Sequence, residues 1–190
     1  MRNVMSRVMP VLCLLCLLGA LSPSVVHAQG PTVAIDIPLS DIEAVLAVPD
    51  GGTDRQIRIL DMGSYNLAVG VIHRGATQGD GPVMGIIHSL VTETYVITSG
   101  TGTLVTGGGM ANPREAAADS HVVRVLNGPT RFGRSENGRA RVVVPGDVII
   151  IPAGVLHGWT NIADHVTYLS VRPDPEKVLE AGYVNPAVQR

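Results

Sequence analysis

The hydrophobic pattern of the chain is short and two-periodic for most of its length. Residues 56–62 and 67–73 alternate, and Leu67, Val69, Val71 and His73 share one face of the second run. Alternation of this kind predicts half-buried strands. Further strands are predicted over 85–90, 93–98, 103–106, 121–126, 131–134, 141–144 and 166–171. The β-branched run Val148–Ile151, between Gly146 and Pro152, predicts a buried strand that ends in a tight turn at Pro152-Ala153-Gly154. Helical spacing is confined to the flanks. Ser40 and Glu43 fit a capping box ahead of Ile42, Val45 and Leu46, predicting a helix over 41–47 stopped by Pro49. A second helix is predicted over 176–181. Gly107-Gly108-Gly109 opens an insertion to about Ser120, with one helical turn expected over 113–118, and Asn137-Gly138 is a hairpin signal. Many short strands with turns between them predict an all-β fold, a small jelly-roll β-barrel.

The first 28 residues stand apart. Arg2 and Arg7 precede an almost wholly apolar run, Val8 to Leu21, and Val26-His27-Ala28 suits a cut before Gln29. The expectation is a signal peptide over 1–28, lead-in elements over 29–66, a barrel over 67–172 and a tail over 173–190. The protein would then be exported to the periplasm or secreted, with no stable membrane anchor after cleavage. Both cysteines, Cys13 and Cys16, lie in the leader, so the remainder has no thiol for a disulfide, a metal or a nucleophile. That remainder carries 12 basic against 16 acidic residues, a net charge of −4 with neutral histidine. The balance argues against nucleic acid as a partner.

One spacing carries most of the chemical information. From Gly146 the sequence GDVIIIPAGVLHGWTN fills G-x5-P-x-G-x2-H-x3-N with Gly146, Pro152, Gly154, His157 and Asn161. This resembles the second motif of the cupin superfamily. The resemblance implies a double-stranded β-helix over about Leu67 to Val171 and makes His157 a metal ligand. The family's first motif, G-x5-H-x-H-x3-4-E-x6-G, is matched in its second half by His88, Glu93 and Gly100. Its first histidine is replaced by Ile86 and its leading glycine by Asp80. His88, Glu93 and His157 would make a two-histidine, one-carboxylate site for a single divalent Fe, Mn or Zn ion, with open positions.

His73 is the candidate to stand in for the absent histidine. An Asp80-Gly81 hairpin would set it directly across from His88 on the face of Val71. Tyr95 shares the face of Glu93 and is expected in the pocket, with Trp159 at the barrel mouth. His121 and His165 lack motif support. The resemblance implies a small-molecule ligand and two readings. One is oxygenase-type, isomerase or lyase chemistry at the metal; the other is a non-catalytic small-molecule or sugar-binding module with a weakened site. Apolar edge strands, and the family habit of associating through sheets, imply a homodimer.

Overall fold

The computed structural model describes residues 29–77, 79 and 81–188. The expected leader, with its expected cleavage point and both cysteines, and Asp80 of the expected hairpin lie outside the described residues. The strands among the described residues are β1 (Asp54–Asp61), β2 (Asn66–Thr77), β3 (Met84–His88), β4 (Glu93–Gly100), β5 (Gly102–Thr106), β6 (Gly109–Glu115), β7 (Thr130–Glu136), β8 (Arg139–Val143), β9 (Val148–Ile151), β10 (His157–Thr160) and β11 (Ile162–Asp174). They form two antiparallel sheets, ordered β1-β2-β11-β4-β9 and β6-β7-β3-β10-β5-β8. The fold is all-β and jelly-roll, as expected.

The sheets face one another across an apolar layer of Ile72, Ile97, Leu104, Val143, Ile151, Val166 and Tyr168. In β11 every second side chain from Val166 to Asp174 points into this layer and is essentially fully buried. In β2 the inward residues are Ala68, Gly70, Ile72 and Arg74. The expected face of Leu67, Val69 and Val71 is the outer one. There Val71 packs under a separate cluster with Val45 and Ile57, beneath the helix α1 (Leu39–Leu46) and the C-terminal residues Val184 and Val188. A sheet buried on both faces has no single apolar phase, so alternation alone could not say which face held the site.

Several local expectations change. Pro38, not Ser40, occupies the helix N-cap, and no side-chain capping bond forms. Residues 122–127 form a π-helix instead of a strand, with Val125 and Leu126 packed on Ile59, Ala68 and Val91. The segment HVVRVL repeats its polar residues every third position, which suits a helical turn. Residues 113–118 make no helical turn either, because β6 already runs through Glu115. The segment 176–181 is not helical. The Asp174 carboxylate accepts the backbone N–H groups of Val178 and Leu179, and the chain then runs back along β1, with Arg58 bridging Val184.

Asn137-Gly138 is no hairpin. β5–β6 and β7–β8 form one long antiparallel arm, with Thr106 opposite Arg139 and Gly109 opposite Glu136. The glycines 107–109 sit at the irregularity between the two halves. Gly108 has φ +75°, and a Cβ there would run into the backbone of Glu136 to Gly138. The run Val148–Ile151 is an edge strand rather than a buried one. Val148 and Ile150 are 60% and 68% exposed, and Val142 and Val144 on the preceding segment are 66% and 50% exposed. Glycine and proline bounded this run as they would a central strand, but among the described residues no element covers its outer face.

The motif residues are largely turn formers. Gly100, Gly146, Gly154 and Asn161 all have positive φ. At Gly100 a Cβ would also collide with the His165 carbonyl. Gly100→Ala is therefore expected to lower stability by about 2 kcal/mol or more in denaturant titration, the combined cost of left-handed strain and steric conflict. Gly75→Ala, where neither applies, should change it by less than about 0.5 kcal/mol. Equal effects would contradict this reading of the turn.

Candidate metal centre

The two motif halves meet between the sheets. His88 closes β3 and is directly opposite Thr130 of β7. His157 opens β10, opposite Ile86. Glu93 opens β4 in the other sheet. The Pro152–Gly154 turn ties the halves together, since the Gly154 N–H donates to the His88 carbonyl at 2.7 Å. One ligand atom from each of His88, Glu93 and His157 lies within 4.8 Å of the others, and all three residues are buried.

Protonation decides what this cluster can hold. The His157 Nδ1 lies 3.1 Å from the Val155 carbonyl, which only accepts, so Nδ1 carries the proton. The Thr130 hydroxyl donates to the Gly128 carbonyl and so accepts from His88 Nδ1 at 3.0 Å. Each imidazole then turns a bare Nε2 toward Glu93 Oε2, at 3.2 Å for His88 and 3.1 Å for His157. Buried His157 Nε2 finds no hydrogen-bond partner. With both rings neutral, two nitrogen lone pairs and a carboxylate oxygen converge with no proton between them. A divalent cation would satisfy all three at once, so the residues fit one.

Glu93 is held by three side-chain hydrogen bonds. Its Oε1 accepts Arg172 Nε at 2.8 Å and the Ser170 hydroxyl at 2.9 Å, and its Oε2 accepts the Tyr95 hydroxyl at 2.8 Å. Burial works to raise its pKa. The Arg172 charge outweighs that and holds it well below the usual carboxylate range. Burial opposes the Arg172 charge as well, but Asp54 and Glu93 keep it protonated throughout. Arg172 also donates to Gln56 at 3.0 Å and to Asp54 at 2.7 Å. Gly70 makes room for it, because a Cβ there would sit 3.1 Å from Arg172 Nη1. Burial, then the Glu93 charge, pushes the Tyr95 phenol well above its ordinary range, so it stays a donor. Burial also keeps His88 neutral below its ordinary pKa, as a ligand must be.

A cavity of about 180 Å³ is lined by the three clustered residues together with Tyr95, Arg74 and Arg172. A second cavity, of about 460 Å³, lies alongside it and includes Trp159 and His157 in its wall. Trp159 is buried and stacks on Tyr168, forming part of the wall of this outer cavity. His73 does not join the cluster. β2 lies between β1 and β11, not beside β3, and His73 faces Thr167. Its exposed ring bonds the Thr167 hydroxyl and stacks on His165, outside the barrel. The Asp80-Gly81 signal implied a hairpin, but β2 and β3 belong to different sheets.

The sequence reading missed Arg172, Arg74, Asp54, Gln56, Thr130 and Ser170. A signal existed for one of them. Arg172 keeps the inward phase of Tyr168 and Ser170, and an arginine on a buried strand face calls for a carboxylate partner.

The family model described as Cupin matches residues 87–183. Among solved structures, one from Bacillus halodurans is 16% identical, covering 83% of this chain and 93% of that one, with a TM-score of 0.44. A Klebsiella pneumoniae protein described as having a double-stranded β-helix domain is 20% identical, covering 76% and 94%, with a TM-score of 0.42. A recombinant oxalate oxidase in complex with glycolate is 18% identical over 68% of this chain and 54% of that one, with a TM-score of 0.35. No curated protein matches the chain in sequence.

Arg172→Met should cost about 3–5 kcal/mol near neutral pH, because it strands a buried carboxylate. In the wild type the depressed Glu93 pKa gives stability that is full above the ordinary carboxylate range and is lost as pH falls through the depressed value. Neutral His88 adds loss in the same direction, since the unfolded chain takes its proton first. In the variant, Glu93 has lost its counter-charge, and protonating it relieves the strain. The difference between the two proteins should therefore shrink from about pH 8 to about pH 4.5 in metal-free denaturation. A difference that is small, or constant across that range, would refute the role given to Arg172.

Proposed function

Because this chain belongs to the cupin family, we propose that it binds one divalent metal ion through His88, Glu93 and His157 and acts there on a small organic molecule. The observation that carries the reading is the pair of imidazole Nε2 atoms facing one carboxylate oxygen in a buried site, each ring's Nδ1 engaged behind it. The donor set, two imidazoles and a hard carboxylate without thiolate, suits Fe(II), Mn(II) or Zn(II). A bound ion of this kind supplies Lewis-acid or one-electron chemistry at a centre with open positions. Glu93 would bind it through Oε2, since Oε1 is committed to Arg172 and Ser170. Tyr95, on the same Oε2, holds a proton beside the site. Oxygen-dependent oxidation is the reaction class we place first, ahead of isomerase or lyase chemistry. A non-catalytic binding module is the alternative, favoured by Ile86 standing where the family's first histidine would be.

Untagged protein is expected to carry near-stoichiometric metal by elemental analysis, and His157→Ala to carry none. His73→Ala should bind as the wild type does. Equal metal in the wild type and His157→Ala would sink the proposal. Iron-loaded protein with a panel of small organic acids should consume oxygen, and His157→Ala should not. Metal binding without oxygen uptake across the panel would favour isomerase or lyase chemistry or the binding module.

Export and self-association belong to the same reading. The leader would be removed before Gln29, and the exposed edge of Val142, Val144, Val148 and Ile150 would be covered by a second copy. Intact-mass measurement combined with light scattering on secreted material should give a dimer of chains beginning at Gln29. An intact first residue would overturn the export proposal, and a monomer the dimer proposal.

A further inference from the structure

The inward face of β2 ends in a cation that the metal reading does not use. Arg74 is half-buried, and its Nε donates to the Tyr168 hydroxyl at 3.0 Å. Among the described residues, no carboxylate lies within ion-pair distance of it and no acceptor engages its two Nη atoms. Its neighbours contrast with this. Arg172 spends all three nitrogens on Glu93, Gln56 and Asp54, and Arg55 donates to backbone carbonyls. A guanidinium fork withdrawn from bulk water and left unmatched is a receptor for a planar anion.

Its placement says where that anion would sit. Arg74, Ile86, Phe132 and His157 are the residues that line both the inner cavity at the cluster and the outer cavity. Arg74 therefore stands at the neck between them. Phe132, Ile86 and His157 form one row across β7, β3 and β10, opposite one another in register. The guanidinium is held in place from behind. Tyr168, its partner, packs between Tyr95, tilted against it with ring centroids 4.3 Å apart, and Trp159, stacked on it at 5.3 Å. A preorganised donor of this kind loses little entropy when it binds.

Beyond Arg74 and His157, the wall of the outer cavity is mostly apolar, with Val83, Met84, Ile86, Phe132 and Trp159, and carries two hydroxyls, Thr77 and Thr160. Glu93 and Asp54 both accept hydrogen bonds from Arg172, and among the described residues neither comes within ion-pair distance of Arg74, whose Nη fork is left open at the neck. We propose that Arg74 binds the carboxylate of a small monocarboxylic acid whose compact apolar body fills the outer cavity. This names the substrate class of the site proposed above and takes its location from that reading, but Arg74 is not itself a metal ligand.

The test uses acids paired with their neutral amides: benzoate with benzamide, phenylacetate with phenylacetamide, and isovalerate with isovaleramide. Binding to the full chain is followed by calorimetry, in metal-free and in zinc-loaded protein. At least one acid should bind about tenfold or more tightly than its own amide, the worth of one charge-assisted contact. The preference should be present without metal. Arg74→Gln should bring each acid within about twofold of its amide while leaving zinc content unchanged, and Arg74→Lys should retain part of the preference. If the glutamine variant fails to fold, the lysine variant and the acid–amide comparison on the wild type still decide. Acids and amides that bind alike, or an undiminished preference in both variants, would overturn the proposal. Protein that binds no zinc yet keeps the acid preference would overturn the metal reading and leave this one standing.

Discussion

A carboxylate has been placed where water cannot reach it, and the middle of this barrel is built to keep it charged. Glu93 would be neutral in an apolar layer, and a neutral acid is a poor ligand. Arg172 prevents that at 2.8 Å. Arg172 in turn needs Asp54 and Gln56 from β1, and the bare backbone of Gly70 on β2. The ion pair thus reaches across four neighbouring strands of one sheet, β1, β2, β11 and β4. Replacing the ensemble by hydrocarbon would cost little stability in principle. Its retention is better read as the requirement of a site than as a source of strength.

The second sheet supplies the nitrogens. His88 and His157 are fixed by acceptors behind them, the Thr130 hydroxyl and the Val155 carbonyl, which direct both Nε2 atoms at the other sheet. Sheet-to-sheet packing therefore sets the geometry of the cluster, and the apolar layer around Tyr168 and Leu104 supports it from below. The long arm formed by β5–β6 and β7–β8 brings Thr130 and Phe132 to the same region from far along the chain.

What the sequence made legible follows from local constraint. Gly100, Gly146, Gly154 and Asn161 could be read because left-handed backbone restricts residue choice. The spacing of His88, Glu93 and His157 could be read because tight turns on short strands leave little freedom. Arg172 and Arg74 could not be placed that way, since their roles come from strands distant in sequence. The error at His73 has a definite cause. β2 is covered by α1 and the C-terminal residues on one side and by the barrel on the other, so both phases carry apolar side chains. The odd phase looked like the interior, and the even phase, ending in Arg74, was the interior. The expected helix at 176–181 is absent as well, and the buried Asp174 carboxylate holds that segment by accepting the N–H groups of Val178 and Leu179.

Metal binding by this cluster turns on where two protons sit. Long-range proton–nitrogen correlation spectra of protein saturated with zinc, a diamagnetic probe, report that directly. Both His88 and His157 are predicted to be neutral, protonated at Nδ1, with Nε2 carrying no hydrogen. An Nε2–H signal on either ring at saturating zinc would contradict the account.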